Sequence, residues 1–145
     1  MGRQNHYPTF RAWLNDESIQ RIPISATVPV TGAVSDIDTT TTSLVDVVLQ
    51  DMVISPGFGD WIVFFDGSVS NTDDRDQGTV SIYVDGTKIN HSTRQSQGNK
   101  EIRLYVGTRA VITGLSDGQT IDVRWNVLGG TGTFHERTLT ALKIK

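Results

Sequence analysis

The chain has 145 residues, of which 37% are hydrophobic, 20% charged and 14 in number glycine, with a formal net charge of -3. A chain of this length buries roughly 68–70% of its unfolded surface in one domain, and the turn-rich globular composition excludes a disordered protein. The absence of cysteine excludes disulfides, thiolate zinc sites and cysteine nucleophiles, while cations scattered singly among acids argue against nucleic acid as a partner.

Residues 1–36 read as an arm. Phe10, Trp13 and Leu14 stand at i, i+3 and i+4, enough for one apolar stripe on a helical turn over 9–14, with Thr9 as a cap. From Arg21 to Val34, Pro23, Pro29 and Gly32 interrupt β-branched residues, which predicts extended chain or an edge strand. Either the arm wraps its own domain, or Phe10, Trp13 and Leu14 dock onto another protein. No apolar run reaches the roughly 20 residues that span a bilayer. Nor does the start, Met1 to Pro8, carry an apolar signal core, so a protein made in a cytoplasm, with no membrane partner, is expected.

Residues 37–145 read as a β domain. Leu44 to Leu49 is the first strand and Met52 to Ile54 a second, ended by Ser55-Pro56-Gly57. In Asp60 to Ser70, side chains alternate faces, so Trp61, Val63, Phe65 and Val69 share one side and Ile62 and Phe64 the other. Both faces are apolar. One fills the domain's core, and the other needs cover from a second layer, a neighbouring subunit or a partner. Asn71 to Gly78 follows as a polar loop; Asp73, Asp74, Asp76 and Gly78 lack the spacing and closing glutamate of a calcium loop, so no metal is expected.

Thr79 to Val84 alternates, with Val80, Ile82 and Val84 inward and Ser81 and Tyr83 outward, and Asp85-Gly86 is a two-residue hairpin turn returning at Thr87 to Ile89. His91 to Lys100 reads as a second polar loop. Ile102, Leu104 and Val106 alternate with Arg103 and Tyr105, and strand resumes over Ala110 to Thr113 before Gly114 to Gly118. Ile121, Val123, Trp125 and Val127 alternate with Asp122, Arg124 and Asn126. In the last strand, Phe134 to Ile144, Leu139 and Ala141 fall on one face and Leu142 and Ile144 on the other, which implies a bulge or a second strand covered on both sides. Seven to eight short strands without a long helix predict an all-β fold: an antiparallel two-sheet jelly-roll sandwich with an extended N-terminal arm.

Arg103, Arg124 and Arg137 are read as outward, in cross-strand or intersubunit ion pairs or on a solvated face. His6, His91 and His135 are dispersed, and neither a nucleophile elbow nor a phosphate-binding glycine loop occurs. No enzymatic activity and no cofactor are expected.

The succession Gly59 to Ser70, then Tyr83-Val84-Asp85-Gly86, Thr113 to Gly118, Val123-Arg124-Trp125, Gly130-Thr131 and Arg137-Thr138-Leu139, resembles the small jelly-roll domains of tailed-bacteriophage virion proteins. These are related in architecture to the trimeric folds of C1q and tumour necrosis factor. The resemblance spans about residues 40–145 and implies a homotrimer: a head decoration (cement) protein that binds the major capsid protein on the capsid exterior, or a receptor- or glycan-binding tail-fibre domain. On that reading Ile62, Phe64, Leu142, Ile144 and Arg124 form the trimer interface, Phe10, Trp13 and Leu14 anchor the arm to the capsid, and Tyr83 or Tyr105 offers a stacking surface for a glycan.

Overall fold

The structure is a computed structural model and describes residues 30–33, 37–39, 46–73, 77–97, 100 and 102–145. The predicted anchor residues Phe10, Trp13 and Leu14 lie outside the described residues, as do Asp74 and Asp76. Among the described residues, ten strands form two antiparallel sheets: β1 (Val30–Ala33), β2 (Ile37–Thr39), β3 (Val47–Ile54), β4 (Gly59–Asn71), β5 (Gln77–Val84), β6 (Thr87–Lys88), β7 (Arg94–Gln97), β8 (Leu104–Leu115), β9 (Ile121–Val127) and β10 (Gly132–Lys143). The first sheet has the order β1-β10-β4-β8, with β2 also beside β10; the second runs β3-β9-β5-β6, with β7 also beside β5. From β3 to β5, and again from β8 to β10, successive strands cross between sheets, the connectivity of a jelly-roll sandwich.

The core follows from the period-2 pattern. Trp61, Val63, Phe65 and Val69 of β4 are buried against Val80 and Ile82 of β5, Val106, Ala110 and Ile112 of β8, and Ile121, Val123, Trp125 and Val127 of β9. Phe134 sits at the centre, edge-on to Trp125 (ring centroids 4.6 Å apart) and to Phe65 (5.9 Å). The hairpin turn takes the expected form: Asp85 and Gly86 both have positive φ (45° and 77°), the conformation that the Asp-Gly pair accepts most easily. The Asp85 backbone N–H then donates to the Thr120 carbonyl, and the Thr120 N–H to the Asp85 carboxylate, which fastens the turn to the start of β9.

Four expectations are corrected. The two short strands expected over 44–54 are one strand, β3, with an irregularity between Val48 and Val53 that includes Asp51 at φ 66° and leaves both Leu49 and Met52 buried. Part of the loop expected over 91–100 is structured: a 3-10 turn (Asn90–Ser92) precedes β7. Its Ser92 hydroxyl accepts from the Ile82 N–H (2.8 Å) and donates to the Ile89 carbonyl (2.6 Å), while the Ser92 carbonyl accepts from Thr108 of β8 and so ties the two sheets together.

Arg137, expected outward, is buried. A bulge between Phe134 and Arg137 inserts one residue opposite β4, so the strand changes phase and Phe134, Arg137, Leu139 and Ala141 all point inward. The guanidinium donates to the His135 carbonyl (2.8 Å) and the Gln50 carbonyl (3.4 Å) and lies 3.7 Å from Asp51, linking β10 to β3. Tyr83, the fourth, lies on the outer face of the second sheet as the alternation predicts, but is buried there rather than exposed.

Candidate functional site

The outer face of the first sheet is the candidate site, and the register of three strands builds it. Ile62 stands between Leu142 of β10 and Val111 of β8, forming an apolar row across the sheet. Phe64 occupies the next row, between Thr140 and Arg109, and Asp66 the one after, between Thr138 and Gly107. Val111 is 53% exposed and Phe64 38%, whereas Ile62 and Leu142 are half-buried by their neighbours. The sheet therefore presents bulky apolar groups to solvent where a sandwich needs polar ones.

Three of the five residues predicted for an interface are thus placed on one sheet, with a fourth just beyond its end. Ile62, Phe64 and Leu142 lie together on its outer face, and Ile144 follows two residues beyond Leu142, half-buried, its N–H bonded to the Asp60 carbonyl (2.8 Å). Arg124 is not with them. It lies on β9 in the second sheet, where it pairs with Asp122 at 2.7 Å and stacks 4.4 Å from the Tyr83 ring centre. Val111 and Arg109 were missed by sequence reasoning, although Ala110 to Thr113 was read as strand; the signal was that an outward Val111 breaks the polar alternation.

Toward its other end the same face is polar. Arg103 pairs with Glu136 at 3.1 Å, and Ser68 donates to Glu136 at 3.0 Å. Both ion-pair partners are exposed, so the pair is worth about 0–1 kcal/mol. His135 is buried here, with Nε2 2.9 Å from the Ser70 hydroxyl. Between the two ends, the Tyr105 hydroxyl donates to Asp66, and its ring folds back over Gly107, where a Cβ would collide with the phenol.

The middle of the outer face of the second sheet carries a polar network, with Val48 and Val53 of β3 exposed beside it. Tyr83 was expected to be exposed; instead it lies across the face, donates to Asp46, and is covered by Arg124. Asp46 also accepts from Lys88 (3.0 Å) and from Asn126, whose own carbonyl oxygen accepts from Thr79 (2.8 Å). The alternation placed Tyr83 on the correct face, and it is buried there because a long side chain satisfied at its tip by Asp46 lies along that face. Burial works against the Asp46 carboxylate, but hydrogen bonds from Tyr83, Lys88 and Asn126 outweigh it and hold its pKa below the ordinary value. Burial, then the hydrogen bond and charge of Asp46, push the Tyr83 phenol up to about 12, against the opposing pull of Arg124.

A raised phenol pKa stabilises the fold below the ordinary tyrosine value of 10.0, and the contribution is lost as pH rises from there toward about 12. Ultraviolet titration is expected to show a phenolate step near that upper value that disappears in Tyr83→Phe. The same substitution, by removing a bond to a charged acceptor, is expected to cost about 1.5–3 kcal/mol in denaturant unfolding at neutral pH. A loss below about 0.5 kcal/mol would contradict the network.

Among the described residues there is no cluster of three or more metal-ligating side chains and no helix long and apolar enough to cross a membrane. No family model matches the sequence, and no curated protein does. In fold the chain is similar to a chain in the structure of infectious bursal disease virus Gt strain (TM-score 0.59, 12% identity, 81% of this chain and 33% of that one). It is also similar to one in the Gx strain structure (TM-score 0.54, 10% identity, 81% and 32%) and to one in the T=1 particles derived from that virus (TM-score 0.50, 12% identity, 81% and 32%). The chain spans about a third of the length of these viral chains. At such identities the likeness is one of fold.

Proposed function

We propose that this protein is a structural, non-catalytic component of a virus particle: a homotrimer that decorates the head of a tailed bacteriophage and stabilises it by binding the major capsid protein. The observation that carries the reading is the apolar row Leu142-Ile62-Val111 with Phe64 beside it on the outer face of the first sheet, where Val111 and Phe64 are exposed. Its occupant is a second copy of the chain. Burying these side chains against another copy removes apolar surface from water at about 25 cal/mol per Å², and a stable interface buries roughly 1,200–2,000 Å² in total.

Two further points support the reading. The fold is shared with chains of virus particles, and the turns and core aromatics resemble those of phage virion jelly rolls. The mechanism is added contact area, each trimer bridging several capsid subunits without chemistry. Phe10, Trp13 and Leu14 are the proposed attachment to the shell. The test is occupancy: the protein is expected to copurify with, and bind saturably to, undecorated phage heads, and deletion of residues 1–29 to abolish that binding while leaving the trimer intact. Failure of the full chain to bind heads would overturn the decoration role.

A further inference from the structure

Beside the apolar row, on the margin of the first sheet, lies an open recess of about 290 Å³ lined by Phe64, Asp66, Arg94, Tyr105, Thr108 and Arg109. Its volume is at the lower end of small-ligand sites, roughly 300–1,000 Å³. We propose that this recess binds an acidic saccharide, whose ring stacks on Tyr105 and whose carboxylate is held by Arg109 and Arg94. The recess shares Phe64 with the face proposed as the interface, while its ligand-contacting groups, Tyr105, Arg109 and Arg94, lie at the margin of that face on β8 and β7.

Four observations converge on that ligand chemistry. Tyr105 is 72% exposed yet fixed, because its hydroxyl donates to Asp66 and its ring rests over Gly107. A large amphipathic ring held flat at the surface is a ready platform for the apolar face of a sugar, with little side-chain entropy left to lose. The hydrogen bond to Asp66 raises the Tyr105 pKa, with burial and the Asp66 charge adding to it, so the phenol stays a donor at neutral pH.

The bond to Tyr105 uses one oxygen of Asp66, and the second remains to accept a sugar hydroxyl. Arg94 is anchored through Nη1 to the carbonyls of Thr93 (2.7 Å) and His91 (3.0 Å), which holds its guanidinium in position at the rim. Arg109 has no ion-pair partner among the described residues. Two guanidinium groups against one carboxylate give the recess a net positive charge, and a planar guanidinium fork matches a carboxylate in two-point geometry. A neutral sugar satisfies the platform and Asp66 but leaves the cations unused, so the acidic ligand is the better fit.

Isothermal titration with di-galacturonate and, as its neutral counterpart, a galactose disaccharide tests the proposal on the chain of residues 1–145. Saturable binding of the uronate is expected, with the neutral sugar weaker by about tenfold or more. Arg109→Ala and Tyr105→Ala are each expected to weaken uronate binding by about tenfold, and both residues are exposed, so the variants fold. Arg103→Ala, on the same strand face but engaged with Glu136, should leave it unchanged. No saturable binding of the uronate, equal affinity for the neutral sugar, or undiminished binding by Tyr105→Ala would each overturn the proposal. Light scattering on the same samples reports assembly separately.

Discussion

Phe64→Asp is expected to convert the proposed trimer into a soluble, folded monomer, read by multi-angle light scattering at micromolar concentration. Phe64 stands in the row next to Ile62, 38% exposed in the isolated protomer, with Thr140 on one side and Arg109 on the other. A carboxylate there is harmless to the protomer, where water reaches it, and surface substitutions of this kind usually change stability by no more than about 0.5 kcal/mol. Against an apolar partner the same carboxylate is an uncompensated buried charge, costing about 3–5 kcal/mol, which weakens each contact by two to three orders of magnitude or more. Val53→Asp is the control: Val53 is as exposed as Phe64, but lies on β3 in the opposite sheet, and its variant should remain trimeric. A Phe64→Asp protein that stays trimeric, or a wild-type protein that is monomeric, would remove the outer face of the first sheet as the interface.

Trp125→Ala is expected to destabilise the fold by about 3–5 kcal/mol and to lower the melting temperature by roughly 10 °C. Trp125 is among the largest fully buried side chains and packs edge-on against Phe134, so truncation removes an aromatic contact from each sheet's contribution to the core at once. The cavity falls where β5, β8 and β10 meet. There Val80, Val106 and Phe134 already border a small void, and long β ladders on both sides prevent collapse into a larger one. Differential scanning calorimetry checks the figure. A loss below about 1 kcal/mol would mean that the sandwich relaxes around the cavity, and that the Trp125-Phe134-Phe65 stack is not the centre of the core.

Much of the inner face was legible because alternation is a local property. In β9 every second residue is large and apolar, as are most inward positions of β4, and Trp61, Val63, Phe65, Val123 and Trp125 are buried as the pattern predicts. The same logic exposed the two-sided character of β4, so Ile62, Phe64 and Leu142 were identifiable before their register was known. The errors lie where contacts between distant residues override the local pattern. Arg137 faces inward because a bulge shifts the phase of β10, and the sequence around Phe134 to Arg137 carries no glycine or proline to announce it. Tyr83 is buried because Asp46, far away in the chain, receives its hydroxyl. The recess was invisible for a similar reason: Arg94 comes from a segment read as loop, whereas Phe64 and Arg109 meet only through the pairing of β4 with β8.

By itself, then, the sequence determined the fold class, the turn at Asp85-Gly86, the residues that fill the core and the presence of a second apolar face on β4. These depend on backbone conformation and on the period-2 alternation of side chains, which neighbouring residues set. Only the tertiary structure decided which strands lie side by side. That pairing joined Leu142, Ile62 and Val111 into one row, sent Arg124 to the opposite sheet, and closed a cationic recess around Tyr105. Strand order and register are fixed by contacts between residues distant in the chain, so no local pattern contains them.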